Sequence, residues 1–211
     1  MRLAFAFASV LLALPAAAQF YEPPPPTTEG LVLQAHLNGV RYAYDPGGCE
    51  GRVCSSGDVG ASGGGFGVGV GYGFGRVFTL FAGYDLSIVG SSFLENSDEA
   101  LIAGTLDLGA RFHIPIARPE FVPYGQVALS GFAVLTEDEG DGSDGFGGGG
   151  LSFGGGALYF LNERIAIRAG ADVTLGAYGT AFVDGEAEDL GFELDATNVR
   201  FSAGFAFYPF R

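Results

Sequence analysis

The residues best equipped for chemistry are few. The chain has two histidines, two cysteines and no lysine, with its ten positive charges all on arginine. His36 sits in "LVLQAHLNG" and His113 in "ARFHIP". Either could act as a base if folding brought a serine and an acid beside it. No G-x-S-x-G nucleophile elbow occurs, and no H-E-x-x-H metal spacing. The run "GVGYGFG" has glycines at phosphate-loop-like spacing, yet the lysine such a loop needs is missing. We therefore expect no catalytic residues, no enzymatic activity and no cofactor. Cys49 and Cys54 lie in "CEGRVC". In an exported chain they read as a small loop disulfide. Zinc is the rival reading, weakened because two thiols have no histidine nearby.

The remaining polar chemistry lies in Asp85, Asp107, Arg111, Arg168, Asp172 and Arg200, three acids against three bases. What unites them is parity. From residue 31 onward the chain alternates with period two, as half-buried strands do. In "LVLQAHLNG", Leu31, Leu33, Ala35 and Leu37 oppose Gln34, His36 and Asn38. In "RIAIRAGADVTLGA", Ile165, Ile167, Ala169, Ala171, Val173 and Leu175 oppose Arg168, Gly170, Asp172 and Thr174. Between 65 and 75 every second residue is glycine, and Phe66, Val68, Val70, Tyr72 and Phe74 fill the other parity. The six charged residues all fall on the small and polar parity.

The elements that must position them number eight by this reading, each long enough to cross a bilayer when tilted. Their connections alternate in length. Those near Arg76, at 115–119 and at Asn162–Glu163 are short, and those near 41–64, 89–98, 135–148 and 178–195 are long. That asymmetry belongs to outer-membrane barrels. The predicted fold is all-β: an eight-stranded antiparallel up-and-down transmembrane β-barrel. Its greasy parity meets lipid, and its charged parity closes a narrow lumen where the ions pair with one another and with Gln34, Asn38, Thr79, Tyr124, Gln126 and Thr174. Glycine on the inner parity makes room for larger partners. A salt-bridged polar plug is the leading reading of the six charges, and a narrow ion path the alternative.

Export is read from the start of the chain. "MRLAFAFASVLLALPAAAQF" has a positive residue, a short apolar run and an A-x-A site. It predicts a signal peptide over 1–18. "YEPPPPTTEG" continues as a proline-rich N-terminal linker, 19–30, and the barrel domain occupies 31–211. The net charge is −14. Most of the acids fall in the long connections, notably "TEDEGDGSDG", where Glu137, Asp138, Glu139, Asp141 and Asp144 form a candidate cation-binding loop for calcium or magnesium. The spacing is not that of an EF-hand, so no metal site is assigned. The sign excludes nucleic acid as a partner.

With "GVGYGFGRVFTLFAGYDLS" at 69–87, "PYGQVALSG" at 123–131 and "VRFSAGFAFYPF" at 199–210, the chain resembles the small outer-membrane β-barrels, the family of opacity-type surface antigens and OmpA/OmpX-like eight-stranded barrels. The resemblance implies insertion into the bacterial outer membrane. It also implies recognition of the terminal strand by the barrel-assembly machinery, although Arg211 follows the aromatic Phe210. The implied role is adhesion, envelope integrity or limited permeability, in a monomer surrounded by outer-membrane lipid and lipopolysaccharide. Alternatives are a porin-like channel and an enzyme acting on lipid.

Overall fold

The computed structural model describes residues 28–45, 59–91, 100–118, 120–136, 145–183 and 186–210. The signal peptide, Cys49 and Cys54, and the acidic set Glu137, Asp138, Glu139, Asp141 and Asp144 lie outside them. Eight strands follow one another: β1 (Gly30–Asp45), β2 (Val59–Phe74), β3 (Phe78–Ser91), β4 (Ala100–His113), β5 (Phe121–Thr136), β6 (Gly145–Phe160), β7 (Ile165–Val183) and β8 (Glu186–Phe207). Each pairs antiparallel with its sequence neighbour, and β1 also pairs with β8, so the sheet closes on itself. Closure leaves no unpaired edge inside the bilayer, where an open backbone N–H or C=O would cost several kcal/mol.

The short turns occur where the sequence places them. Gly75 takes a left-handed conformation, φ 70°, between β2 and β3. Asn162 makes the β6–β7 turn by accepting the backbone N–H groups of Arg164 and Ile165 at 2.8 and 2.9 Å, a local side-chain bond typical of asparagine.

The long connections are shorter than expected. β1 runs on to Asp45 and β2 begins at Val59. The largest correction concerns 178–195. That stretch is mostly strand, with Thr180 opposite Asp189 and Val183 opposite Glu186. β7 has 19 residues and β8 has 22. About ten tilted residues suffice to cross the hydrocarbon, so these two strands continue as a ribbon beyond it. Main-chain pairing is indifferent to the acids that made the segment look like a solvated loop. Gly30, counted with the linker by sequence, opens β1, and Thr28 is buried with its hydroxyl donating to the Arg76 carbonyl at 3.0 Å.

Parity sorts the side chains throughout. On β5, Leu129 is 66% exposed and its neighbour Ser130 only 4%. Phe66, Val68, Val70, Tyr72 and Phe74 point outward, as do Phe201 and Phe205. At the short-turn end Tyr72, Phe74, Phe78 and Phe112 form a chain of ring contacts with centroids 5.1–5.9 Å apart. Such aromatic rows mark the membrane–water boundary of barrels.

The interior has three levels. At the short-turn end Val32, Tyr124, Leu158, Phe160, Ala166, Ala206 and Tyr208 pack together. At the other end Val40, Tyr42, Val89, Leu101 and Ala103 form one apolar cluster, and Phe132, Tyr178 and Ala196 another. Between them lies the polar level.

Candidate functional site: the charged lumen

The polar level is assembled from inward positions on all the strands, and glycines decide who can meet whom. His36 on β1 and Asp85 on β3 both register with Gly67 of the strand between them. The imidazole Nε2 and the carboxylate Oδ1 stand 2.6 Å apart. A Cβ at position 67 would come within 2.1 Å of that oxygen and 2.4 Å of that nitrogen. The glycine is therefore what allows two strands to join hands over a third. Gly154 does the same on β6. A Cβ there would lie 1.8 Å from Asp172 Oδ1, and without it Gln126 on β5 donates across to Asp172 on β7 at 2.5 Å.

Arg200 on β8 is the node of the acids. Its guanidinium lies 3.0 Å from Asp85, forms a tighter ion pair with Asp107, and sits 4.0 Å from Asp172. One residue of the last strand thus reaches carboxylates on β3, β4 and β7. Each acid has other partners. Asn38 donates to Asp85 at 2.9 Å, and Ser87 donates to Asn38 at 2.9 Å. Ser130 donates to Asp107 at 2.5 Å, and a row of hydroxyls continues from Ser130 to Ser152 and Thr174 at 2.5 Å each.

Arg111 and Arg168 are held differently. Arg111 donates from Nε to Gln126 at 2.9 Å and from Nη2 to Gln34 at 3.4 Å. Arg168 donates from Nε to the Tyr124 hydroxyl at 3.0 Å and from Nη1 to His36 Nδ1 at 3.5 Å. The two guanidinium groups share the Tyr124 ring, 4.5 and 5.9 Å from its centroid, and Arg111 also lies over Phe81 at 5.1 Å. Among the described residues neither has a carboxylate within 4.0 Å. Aromatic faces and amide oxygens take the place of counter-ions.

The six charged residues read from sequence thus lie at one level, all buried, in two groups: three acids around Arg200, and two arginines around Tyr124. Of the expected polar partners, Gln34, Asn38, Tyr124 and Gln126 join them, while Thr174 bonds to Ser152 instead. Sequence reasoning placed His36 on the lumenal parity without linking it to Asp85. Its register with Gly67, the one residue with no side chain between them, is the signal that could have revealed the pair. His113 closes β4, buried beside Tyr124 with ring centroids 6.4 Å apart. A cavity of about 20 Å³ lies among Gln34, His36, Arg111, Arg168, Asp172 and Ser202, room for about one water. Among the described residues no group of three or more His, Cys, Asp or Glu is arranged to hold a metal.

Solved structures share the fold. Neisserial surface protein A aligns with a TM-score of 0.60 at 14% identity, over 85% of this chain and 97% of its own. The outer membrane protein OprG from Pseudomonas aeruginosa aligns with a TM-score of 0.58 at 13% identity, over 87% and 97%. AlkL, an outer membrane protein solved in lipid bilayers, aligns with a TM-score of 0.56 at 13% identity, over 89% and 93%. No curated protein matches the sequence. The family described as the outer membrane protein beta-barrel domain matches residues 4–207.

Proposed function

We propose, from the premise that this chain belongs to the outer membrane protein beta-barrel domain family, that it is a non-conducting barrel with a structural and surface-interaction role. It resides in the bacterial outer membrane. The observation that carries the closed reading is the layering of the lumen. Apolar clusters pack at both ends, and the charged level between them is cross-linked from strand to strand. An ion entering such an axis would have to displace packed side chains and break paired charges, each a cost of several kcal/mol. The surface role rests on the acidic composition of the long-loop side and on the β7–β8 ribbon, which carries pairing past the hydrocarbon. Lipopolysaccharide bridged by divalent cations is a chemically suited partner for that acidity, and the terminal strand suits the assembly machinery. Catalysis fits the geometry poorly, since His36 meets Asp85 and Arg168 instead of a hydroxyl, and the row of hydroxyls is buried.

The second reading is a narrow channel, favoured by the run of buried charge at mid-depth. Planar-bilayer recording separates the two. The closed barrel gives no discrete current steps at moderate voltage, and reproducible steps from the purified protein would replace it with the channel.

A further inference from the structure

One arginine stands on the wall that meets lipid. Among the described strand residues Arg111, Arg168 and Arg200 are buried in the lumen, whereas Arg41 is exposed. It shares the outward parity of Leu33 and Leu37, and its neighbours Val40 and Tyr42 are buried. Its depth follows from the register. Leu31 stands opposite Tyr72, in the aromatic row of the short-turn end. From Leu31 to Arg41 the strand climbs about 25 Å, at about 3.3 Å per residue and a tilt of about 40°. The apolar band of such barrels is also about 25 Å tall. Arg41 therefore marks the opposite boundary of the hydrocarbon, on the side of the long connections, which in this fold face outward. Lipid headgroups begin at that level.

The surroundings suit a phosphate. Ser62 lies opposite Arg41 on β2, and Thr197 lies diagonal to it on β8, one outward position beyond its partner Val199; both are exposed. Diagonal neighbours, about 7–8 Å apart, are within reach of a long side chain. Among the described residues no carboxylate lies within 4.0 Å of Arg41, although Asp195 is the next outward residue of β8. A guanidinium beside two hydroxyls presents a fork of donors matched to phosphate oxygens. Toward the midplane the wall is recessed. The next row, from β8 to β3, is Phe201, Gly39, Gly64 and Ile88. A Cβ on Gly39 or Gly64 would meet only backbone oxygen, that of Gly63 at 4.0 Å or of Asn38 at 3.1 Å. Phe201 and Ile88 are exposed at the two ends of the row, and their backbones are about 14 Å apart at the usual strand spacing. We propose that Arg41, Ser62 and Thr197 form a site for the phosphate of an outer-leaflet lipid, whose acyl chains leave the headgroup over the recess at Gly39 and Gly64. The site is a direct lipid contact within the surface role proposed above and rests on that reading. It needs no divalent cation, unlike bridging through the acidic connections.

Lipid A, an acylated and phosphorylated sugar pair, serves as the probe. The full barrel in neutral detergent is titrated with it by native mass spectrometry, once in EDTA and once in magnesium. The expected result is a bound lipid A that persists in EDTA and is not displaced by excess inorganic phosphate. Arg41→Gln should weaken that binding several-fold. Gly39→Leu, which fills the recess and keeps the charge, should do the same. Both positions face outward, so the lumen is left intact. Arg118→Gln, an exposed arginine at the short-turn end, should leave the affinity unchanged. Native affinity in Arg41→Gln or in Gly39→Leu, an equal loss in Arg118→Gln, or displacement by inorganic phosphate would overturn the site. Binding seen only in magnesium and unchanged by Arg41→Gln would overturn the site and leave the surface role standing. Absence of binding under both conditions would count against both.

Discussion

His36 and Asp85 meet at 2.6 Å across the full width of the strand that separates them, because Gly67 between them has no side chain. The glycine stripe of β2 is thus part of the polar network. It supplies the absence that lets β1 bond to β3.

Substituting that glycine tests the idea. Gly67→Ala places a methyl group 2.1 Å from the Asp85 carboxylate and 2.4 Å from the imidazole, and both must retreat. Loss of a hydrogen bond to a buried charged group costs about 1–3 kcal/mol. Urea titration of the barrel in lipid vesicles should show that loss. Gly90→Ala, where nothing lies within 4 Å, should leave the midpoint unchanged.

Arg200→Gln leaves Asp85, Asp107 and Asp172 without their shared cation. Breaking a buried ion pair from one side costs about 3–5 kcal/mol. Adding Asp107→Asn should recover part of it, since the pair would then be removed from both sides. If Asp107→Asn changes stability by the same amount in the Arg200→Gln background as in the native chain, read by the same titration, Arg200 and Asp107 are not coupled.

Tyr124 offers its hydroxyl to Arg168 and its ring to two guanidinium groups. Tyr124→Phe keeps the ring and removes the bond at 3.0 Å, with an expected loss of about 1.5–3 kcal/mol, the worth of a hydrogen bond to a charged group. Tyr124→Leu should lose more, because the aromatic face goes as well. If leucine and phenylalanine prove equally stable, the stacking contributes nothing measurable.

Much of this arrangement was legible in the sequence. Period-two alternation identified the strands, and Arg168 and Asp172 on the small parity of "RIAIRAGADVTLGA" already implied a charged interior. The apolar ends of the lumen were not legible. Leu158 is completely buried while its neighbour Tyr159 faces outward. In "ALYFL" both parities are apolar, so alternation carries no information about which side is inside. Val32 and Val89 belong to the same class: inward positions whose burial comes from residues on distant strands. The pairing within 178–195 is not legible for a different reason: a run of acids reads as a loop, whereas main-chain pairing does not depend on side-chain charge.

The central claim is that one parity meets hydrocarbon while the other closes around a charged axis. Magnetisation transfer from lipid acyl chains to protein side chains, measured by solid-state NMR in a bilayer, tests it most directly. The account predicts strong transfer to Leu129, Phe66 and Phe201, and none to Leu158, Val32 or Ser130. Transfer to Leu158 and Val32 with silence at Leu129 and Phe201 would contradict it.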